Sequence, residues 1–336
     1  MNKIKIAING FGRIGRSFFQ VAFLRPEFEI VAVNDLGDVN NLAYLLQYDS
    51  VYKKYEKEVK AEPGNLIIDG KKIKFVQEKD PTKLPWKDLD VDVVIESTGV
   101  FTSYEKAKTH LDAGAKRVVI TAPVKDGGPV VTATPGINEE NLKNCPITSN
   151  ASCTTNAITP VLTIMNENPG IIKAAMSTVH GYTAQQSLVD APAKDWRRGR
   201  AAAQNIVPST TGAADAVGAV IPEMKSIFDG ISIRVPVISG SVADVTFLAK
   251  RKTSVEEIND IFRKAAEDPR WKSIVKTVDV PIVSGDILRE PYGAIIDLTL
   301  TRVIDGDLVK VFSWYDNEYG YSVMLAEHVL RVGKLL

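Results

Sequence analysis

Cysteine is nearly absent from this chain. Cys145 and Cys153 are the only two in 336 residues, too close together to frame a disulfide scaffold, so the expected compartment is the reducing cytoplasm. No apolar run approaches the ~18 residues that a membrane-spanning helix needs. Residues 1–8 alternate charged and apolar side chains as a strand does and lack the apolar centre of a signal peptide. Excess charge of either sign is missing too, with 41 basic and 41 acidic residues, so neither nucleic acid nor a membrane is expected as a primary partner. Histidine is limited to His110, His180 and His328, and no metal is expected. There is no internal repeat and no low-complexity tract.

What is present is a chain long enough for two domains, because single cores stop growing at roughly 250–300 residues. Residues 4–8 read as a buried strand, followed at once by Asn9-Gly10-Phe11-Gly12-Arg13-Ile14-Gly15 and a helical pattern. The next strand ends in Asp35, twenty residues beyond Gly15. In such a unit Gly10 allows the tight turn, Gly12 lets the backbone approach a pyrophosphate, and Gly15 permits close helix-to-strand packing. An acid at that distance accepts hydrogen bonds from ribose hydroxyls. The context predicts dinucleotide binding. Asp35-Leu36-Gly37-Asp38 places two acids and no arginine where a 2′-phosphate would sit, which favours NAD over NADP.

Strand and helix patterns keep alternating through 92–96, 103–113 and 117–121, ending at Thr121, and predict a Rossmann-type, doubly wound parallel sheet. A hairpin turning at Asp69-Gly70 reads as an excursion from that sheet. Beyond about residue 151, long strand-like stretches at 171–179, 231–235, 242–250, 294–302 and 308–314 predict an α+β domain. Its sheet is expected to be mostly antiparallel, with helices on one face. The expected division is an NAD-binding domain over 1–151, completed by a C-terminal helix at 318–336, and a catalytic, substrate-binding domain over 152–317.

The run Ser149-Asn150-Ala151-Ser152-Cys153-Thr154-Thr155-Asn156 places a thiol at a helix start. Unpaired N–H groups and about half a positive charge there push a cysteine toward thiolate. A lone cysteine is also a small buried hydrophobe, and this run alone leaves both readings open. His180 ends a strand and precedes Gly181-Tyr182-Thr183, a place where catalytic side chains are set. It is either a base for Cys153 or a structural histidine. His110 and His328 fall in helices and read as partly exposed.

Three further stretches supply candidate anion sites. Ser209-Thr210-Thr211-Gly212-Ala213 is a hydroxyl-rich turn that opens a helix. Arg234 lies in an apolar strand and requires an acid or an anionic ligand as partner. Arg197, Arg198 and Arg200 suit either subunit-interface ion pairs or phosphate.

In Ile8 to Arg16, Ser97-Thr98-Gly99-Val100-Phe101, the cysteine run, Thr178-Val179-His180, the hydroxyl turn, Arg234-Val235-Pro236 and Trp314 to Ser322, the chain resembles, over nearly its whole length, the phosphorylating NAD-dependent glyceraldehyde-3-phosphate dehydrogenase family of glycolysis. The resemblance implies that Cys153 adds to the aldehyde as a thiohemiacetal with His180 as base, and that inorganic phosphate cleaves the thioester left after hydride transfer. It implies Arg13 and Ile14 at the cofactor pyrophosphate, Asp35 at the adenosine ribose, Thr121 in the cofactor site and Asn317 at the nicotinamide carboxamide. Thr183 and Arg234 would hold the substrate phosphate, with Arg198 also binding substrate and Ser152, Thr154, Thr211 and Gly212 around the attacking phosphate. Glyceraldehyde 3-phosphate and inorganic phosphate are the implied partners. A homotetramer is implied as well, with 186–203 reaching a neighbour's cofactor site. Leu36 and Pro192 match the NAD-using members.

The chain departs from the family's pattern over 127–138, at Ala157, at Asp215 and Gln185, and over 237–241. Asp215 stands where a lysine is usual, and with Gln185 it bears on phosphate affinity rather than on the hydride step. Two other readings compete: an erythrose-4-phosphate dehydrogenase and a catalytically idle NAD-binding protein on the same fold. The Thr210 to Ala214 turn favours the glyceraldehyde enzyme over the first. The presence of both Cys153 and His180 argues against the second.

Overall fold

The computed structural model describes residues 3–124 and 128–336. The chain forms two compact units. One comprises Met1–Ala133, Asn138–Ala151 and Leu325–Leu336; the other comprises Thr134–Ile137 and Ser152–Met324.

The first unit runs β1 (Ile4–Asn9), α1 (Arg13–Phe23), β2 (Phe28–Asn34), α2 (Val39–Gln47), β3 (Tyr48–Asp49), β4 (Lys53–Lys54), β5 (Val59–Glu62), β6 (Asn65–Ile68), β7 (Lys71–Val76), β8 (Val93–Glu96), α3 (Tyr104–Asp112), β9 (Arg117–Ile120), β10 (Val131–Thr132) and β11 (Ile147–Ser149). Among the described residues its main sheet has the order β10-β11-β9-β8-β1-β2-β7-β6-β5. Every pairing from β10 to β7 is parallel. Ile6, Ala7, Ile8, Val93, Val94, Ile95, Val118, Val119 and Ile120 are all inaccessible to solvent. Such continuous apolar runs form when both faces of a parallel sheet are covered.

The hairpin turns at Asp69 and Gly70, both left-handed with φ of 47° and 76°, as a two-residue turn between twisted strands requires. It is not an excursion, however. β7 pairs in parallel with β2, from Ala32 opposite Lys74 to Asn34 opposite Val76, so the hairpin widens the main sheet. Burial of Ile73 and Phe75 on one side of β7 drives that addition.

The second unit runs α4 (Cys153–Glu167), β12 (Ile171–Gly181), β13 (Val207–Thr210), α5 (Ala213–Val220), β14 (Phe228–Val235), β15 (Ser241–Ala249), α6 (Val255–Glu267), β16 (Val275–Val278), β17 (Ala294–Asp297), β18 (Arg302–Ile304) and β19 (Leu308–Tyr315). Its sheet has the order β13-β14-β12-β15-β19-β17-β16, with β18 on β19. The pairings are antiparallel except β12 with β14 and β16 with β17. Apolar side chains of α4, α5 and α6 share one cluster with the inward residues of β15 and β19. The strand expected over 294–302 is broken, because the Asp297 carboxylate accepts from Thr299 N and Oγ1 and caps a single 3₁₀ turn at Leu298–Leu300.

The last helix, α7 (Tyr319–Gly333), contributes its residues from Leu325 onward to the first unit. A Cβ on Gly333 would meet Ile4 Cδ1 at 2.3 Å, which shows how closely the helix end approaches β1.

His110 and His328 are buried, contrary to expectation, at 0% and 1% exposure. Each has a polar partner inside the first unit: His110 Nε2 lies 3.1 Å from Glu96 Oε2, and His328 Nε2 lies 2.9 Å from Thr148 Oγ1. Those partners permit a polar ring in an apolar interior.

Candidate active site

In the first unit, the loop after β1 and the ends of β2 and β8 enclose a cavity of about 430 Å³ lined by Gly10, Gly12, Asp35, Leu36, Thr98 and Phe101, among others. Gly10 has φ +91°, and a Cβ there would lie 2.7 Å from Thr98 N. A Cβ on Gly15 would lie 2.1 Å from Gly10 O, whereas one on Gly12 would meet nothing within 4 Å. Gly10 and Gly15 are therefore required by packing. Gly12 leaves room beside the start of α1, as a pyrophosphate cradle needs.

The first turn of a helix offers amides without intrahelical acceptors, among them that of Ile14. The Arg13 side chain is turned elsewhere, onto the Asp49 carboxylate and over the Tyr52 ring. Asp35 stands at the end of β2, where Oδ2 accepts from Phe11 N at 2.7 Å and Oδ1 from Gly37 N at 2.8 Å. Its remaining lone pairs suit ribose hydroxyls. Thr121 follows β9 and donates through both N and Oγ1 to Glu96 O, at 3.0 and 3.1 Å. The residues present thus fit a dinucleotide. Gly127, where the departing run begins, lies outside the described residues.

In the second unit, Cys153 is the first residue of α4, and the Ser152 side chain caps that helix by accepting from Thr155 N at 3.1 Å. Ala151, just before the cap, has φ +55°, a left-handed conformation that costs a non-glycine residue roughly 1–3 kcal/mol. Cys153 Sγ lies 3.4 Å from His180 Nε2. The other ring nitrogen, Nδ1, lies 2.6 Å from Gly181 O and 2.8 Å from Arg234 NH1. Gly181 O can only accept from Nδ1 and the Arg234 guanidinium can only donate to it, so the two contacts favour opposite tautomers; the one with the proton on Nδ1 leaves the Nε2 lone pair facing the thiol, as a base requires.

Register explains the Arg234 contact, because His180 on β12 is paired with Arg234 on β14. Thr178, two residues earlier and on the same face, shares the hydroxyl of Tyr315, which lies 2.7 Å from Thr178 Oγ1 and 2.9 Å from Thr154 Oγ1. The Tyr315 ring stands edge-on to the His180 ring at 5.9 Å. Tyr315 therefore braces both the helix start and the imidazole. Sequence reasoning missed it, although it sits inside the Trp314 to Ser322 run.

Burial, reinforced by the Arg234 guanidinium, pushes the His180 pKa down to about 3, so the ring is neutral near pH 7. Burial also pushes the Cys153 thiol up, against the opposing pull of Arg234 and the helix amides. The helix start does favour thiolate as expected, but desolvation outweighs it.

Arg234 Nε is buried with no hydrogen-bond partner, and no carboxylate pairs with this side chain among the described residues. Arg198 donates to Ser209 Oγ at 2.7 Å, to Thr210 O at 2.9 Å and to Gln185 Oε1 at 3.2 Å, and it pairs with Asp195. It is thereby fixed beside the hydroxyl turn. Arg200 pairs with Asp190 at 2.8 Å, so both guanidiniums have partners within their own chain. Thr211 Oγ1 accepts from Ala213 N at 3.2 Å, and a Cβ on Gly212 would meet nothing within 4 Å. Thr183 Oγ1 accepts from Gln185 N. Asn317 Oδ1 is engaged by Gly240 N at 3.0 Å and Ser241 Oγ at 2.9 Å; these bonds orient its amide.

The glycine-loop cavity of the first unit and the thiol–imidazole pair of the second are the equipment of an NAD-dependent oxidoreductase. Residues 152–317 match the glyceraldehyde 3-phosphate dehydrogenase C-terminal domain, and residues 4–104 match the NAD binding domain of the same enzyme. Glyceraldehyde-3-phosphate dehydrogenase of Thermotoga maritima is 53% identical over 321 residues, covering 95% of this chain and 96% of that protein. Glyceraldehyde-3-phosphate dehydrogenase 2 of Streptomyces arenae and the enzyme of Mycolicibacterium smegmatis are each 48% identical, with 99% of both chains covered. The chain belongs to the glyceraldehyde-3-phosphate dehydrogenase family, and NAD is its cofactor.

Proposed function

We propose that the chain oxidises D-glyceraldehyde 3-phosphate with NAD and inorganic phosphate to 1,3-bisphosphoglycerate, through a thioester on Cys153. NAD-dependent oxidation of the triose phosphate is the activity of the family to which it belongs. The observation that carries the residue-level reading is the Cys153 Sγ to His180 Nε2 approach of 3.4 Å, with Nδ1 backed by Gly181 O.

In this reading Nε2 takes the thiol proton as sulfur adds to the aldehyde carbon, giving a thiohemiacetal. Burial keeps the ring neutral, which leaves a lone pair for that proton, and the same burial opposes a free imidazolium, so in this reading the transfer accompanies carbon–sulfur bond formation. Oxidation leaves the acyl group on sulfur, and NAD supplies the hydride acceptor when bound. A phosphate oxygen then attacks the thioester, and Cys153 departs as thiolate. The thioester retains oxidation energy that direct hydrolysis would dissipate.

Arg234, with its unpartnered Nε, and Thr183 hold the substrate phosphate. Ser152, Thr154, Thr211 and Gly212 surround the attacking phosphate, with Arg198 bracing the turn. Gly10, Gly12, Gly15, Asp35, Thr121 and Asn317 serve NAD, with Arg13 and Ile14 meeting the pyrophosphate through their backbone and Asn317 turning its amide to the nicotinamide. Residues 1–151 with 318–336 act as the NAD-binding domain, and 152–317 as the catalytic domain.

A homotetramer is the proposed assembly. Leu188, Val189 and Trp196 are 71%, 74% and 88% exposed in the single chain, and apolar groups so placed suit a subunit contact. The proposed location is the cytoplasm; no helix among the described residues is long and apolar enough to cross a membrane. The test is mass analysis of the Cys153 peptide after mixing with the triose phosphate and NAD in the absence of phosphate. A phosphoglyceroyl adduct on Cys153, released on adding phosphate, supports the reading. An unmodified cysteine during turnover contradicts it.

A further inference from the structure

Beneath the cofactor cavity lies a hydrogen-bonded chain of buried polar side chains that no step above uses. Trp86, His110, Glu96, Asn9 and Asn34 are all 5% exposed or less. Trp86 Nε1–H donates to His110 Nδ1 at 3.1 Å. Indole nitrogen is a donor only, so Nδ1 must accept and the ring proton sits on Nε2. From there it points at Glu96 Oε2, 3.1 Å away. The same oxygen accepts from Asn9 Nδ2 at 2.6 Å. Asn9 Oδ1 in turn accepts from Asn34 Nδ2 at 2.7 Å, and Asn34 exchanges two bonds of 2.9 Å with the backbone of Glu78. The second carboxylate oxygen, Oε1, accepts from Thr98 N at 2.9 Å and from the Thr98 hydroxyl.

Glu96 thus takes donors on both oxygens, from three separate elements. Lys and Arg are absent from its partners among the described residues. At its other end the polar chain finishes on the cavity, which Asn9, Asn34, Glu78 and Thr98 all line. They sit where β1, β2, β7 and β8 end. A polar chain needed only to fill the interior would not have to finish on the lining of a ligand cavity. We propose that Glu96 is a positioning residue for NAD: as the acceptor shared by Asn9 and Thr98 it fixes the ends of β1 and β8, and through Asn9 and Asn34 those of β2 and β7, in the spacing the cofactor requires, with His110 and Trp86 holding it from behind. The inference rests on the reading of this cavity as the NAD site.

The test is E96Q. Glutamine keeps the shape, but whichever way its amide turns, the NH2 group faces donors that the carboxylate accepted. We compare NAD dissociation constants by calorimetry, melting temperature without NAD, and kcat at saturating NAD. The expected result is NAD binding weaker by about tenfold or more, the scale of losing hydrogen bonds to a charged group, with kcat at saturation within twofold of wild type. A lowered melting temperature with an unchanged dissociation constant would overturn the proposal, because a merely structural residue gives that pattern. If E96Q does not fold, W86F carries the test. It removes the donor that fixes His110 and is expected to weaken NAD binding by a few-fold; unchanged binding would overturn the proposal. Failure of the wild-type chain itself to bind NAD would instead reject the cavity assignment, a distinguishable outcome.

Discussion

Cys153 Sγ and His180 Nε2 lie 3.4 Å apart, the sulfur on the first turn of α4 and the ring near the end of β12, with both held by Tyr315 and its two threonine partners. In the proposed reading this thiol and neutral imidazole act as nucleophile and base. Cys153→Ser is expected to abolish dehydrogenase turnover while leaving the NAD dissociation constant unchanged. His180→Asn is expected to lower kcat by roughly 10²–10⁴, the usual worth of a positioned general base. Steady-state kinetics together with calorimetric NAD titration check both.

Tyr315→Phe removes one hydroxyl that serves two buried threonines. Two side-chain oxygens then lose a partner in the interior, which costs about 1–3 kcal/mol. A lowered denaturation midpoint is expected, together with a fall in kcat greater than any change in the KM for NAD, because the lost brace touches the thiol helix and the imidazole. An unchanged midpoint would show that the hydroxyl is not structurally required.

Asp215 lies in the first turn of α5, just after the hydroxyl turn proposed to bind phosphate. A negative charge there favours the helix but opposes an incoming anion. Asp215→Ala is expected to lower the KM for inorganic phosphate about two- to fivefold, the effect of ~0.3–1 kcal/mol at an exposed helix end, with kcat for the triose unchanged. Initial rates at varied phosphate measure this directly, and a raised KM would refute it.

His328 sets a pH limit on stability. Burial, with Arg331 and Arg117 adding to it, depresses its pKa to about 3, whereas the unfolded chain titrates near the ordinary value of about 6.5. Between those values the unfolded state binds a proton that the native state refuses. The stabilisation is therefore complete above about pH 6.5 and is lost as pH falls toward 3, at up to about 1.4 kcal/mol per pH unit. Urea midpoints at pH 7 and pH 5 should fall more steeply for wild type than for His328→Gln. Equal slopes would contradict the assignment.

The parts of this molecule legible in its sequence are those whose reason is local. Gly10 and Gly15 stand where a side chain cannot fit, and the strand, loop, helix and acid around them lie within thirty-odd residues of chain. The place of Cys153 at a helix start is legible in the eight residues from Ser149 to Asn156. The burial of His110 and His328 is not, because their partners Glu96 and Thr148 lie 14 and 180 residues away, and helical spacing alone does not tell a buried polar face from an exposed one. The commitment of Arg13 to Asp49, 36 residues on, was hidden for the same reason. The addition of β7 to β2 is likewise a long-range pairing that a hairpin signal does not contain. Cys153 is half-buried, and the desolvation of its thiol comes from groups that the fold brings round it, whereas the helix-start effect that opposes it is visible in eight residues.

The measurement that bears most directly on the central claim is NADH formation from glyceraldehyde 3-phosphate and NAD, followed with and without inorganic phosphate. A Cys153 thioester cleaved by phosphate predicts sustained turnover with phosphate, and without it a burst limited to about one NADH per active site. Sustained turnover that is indifferent to phosphate would contradict the account, because the acyl group would then be leaving the enzyme by another route.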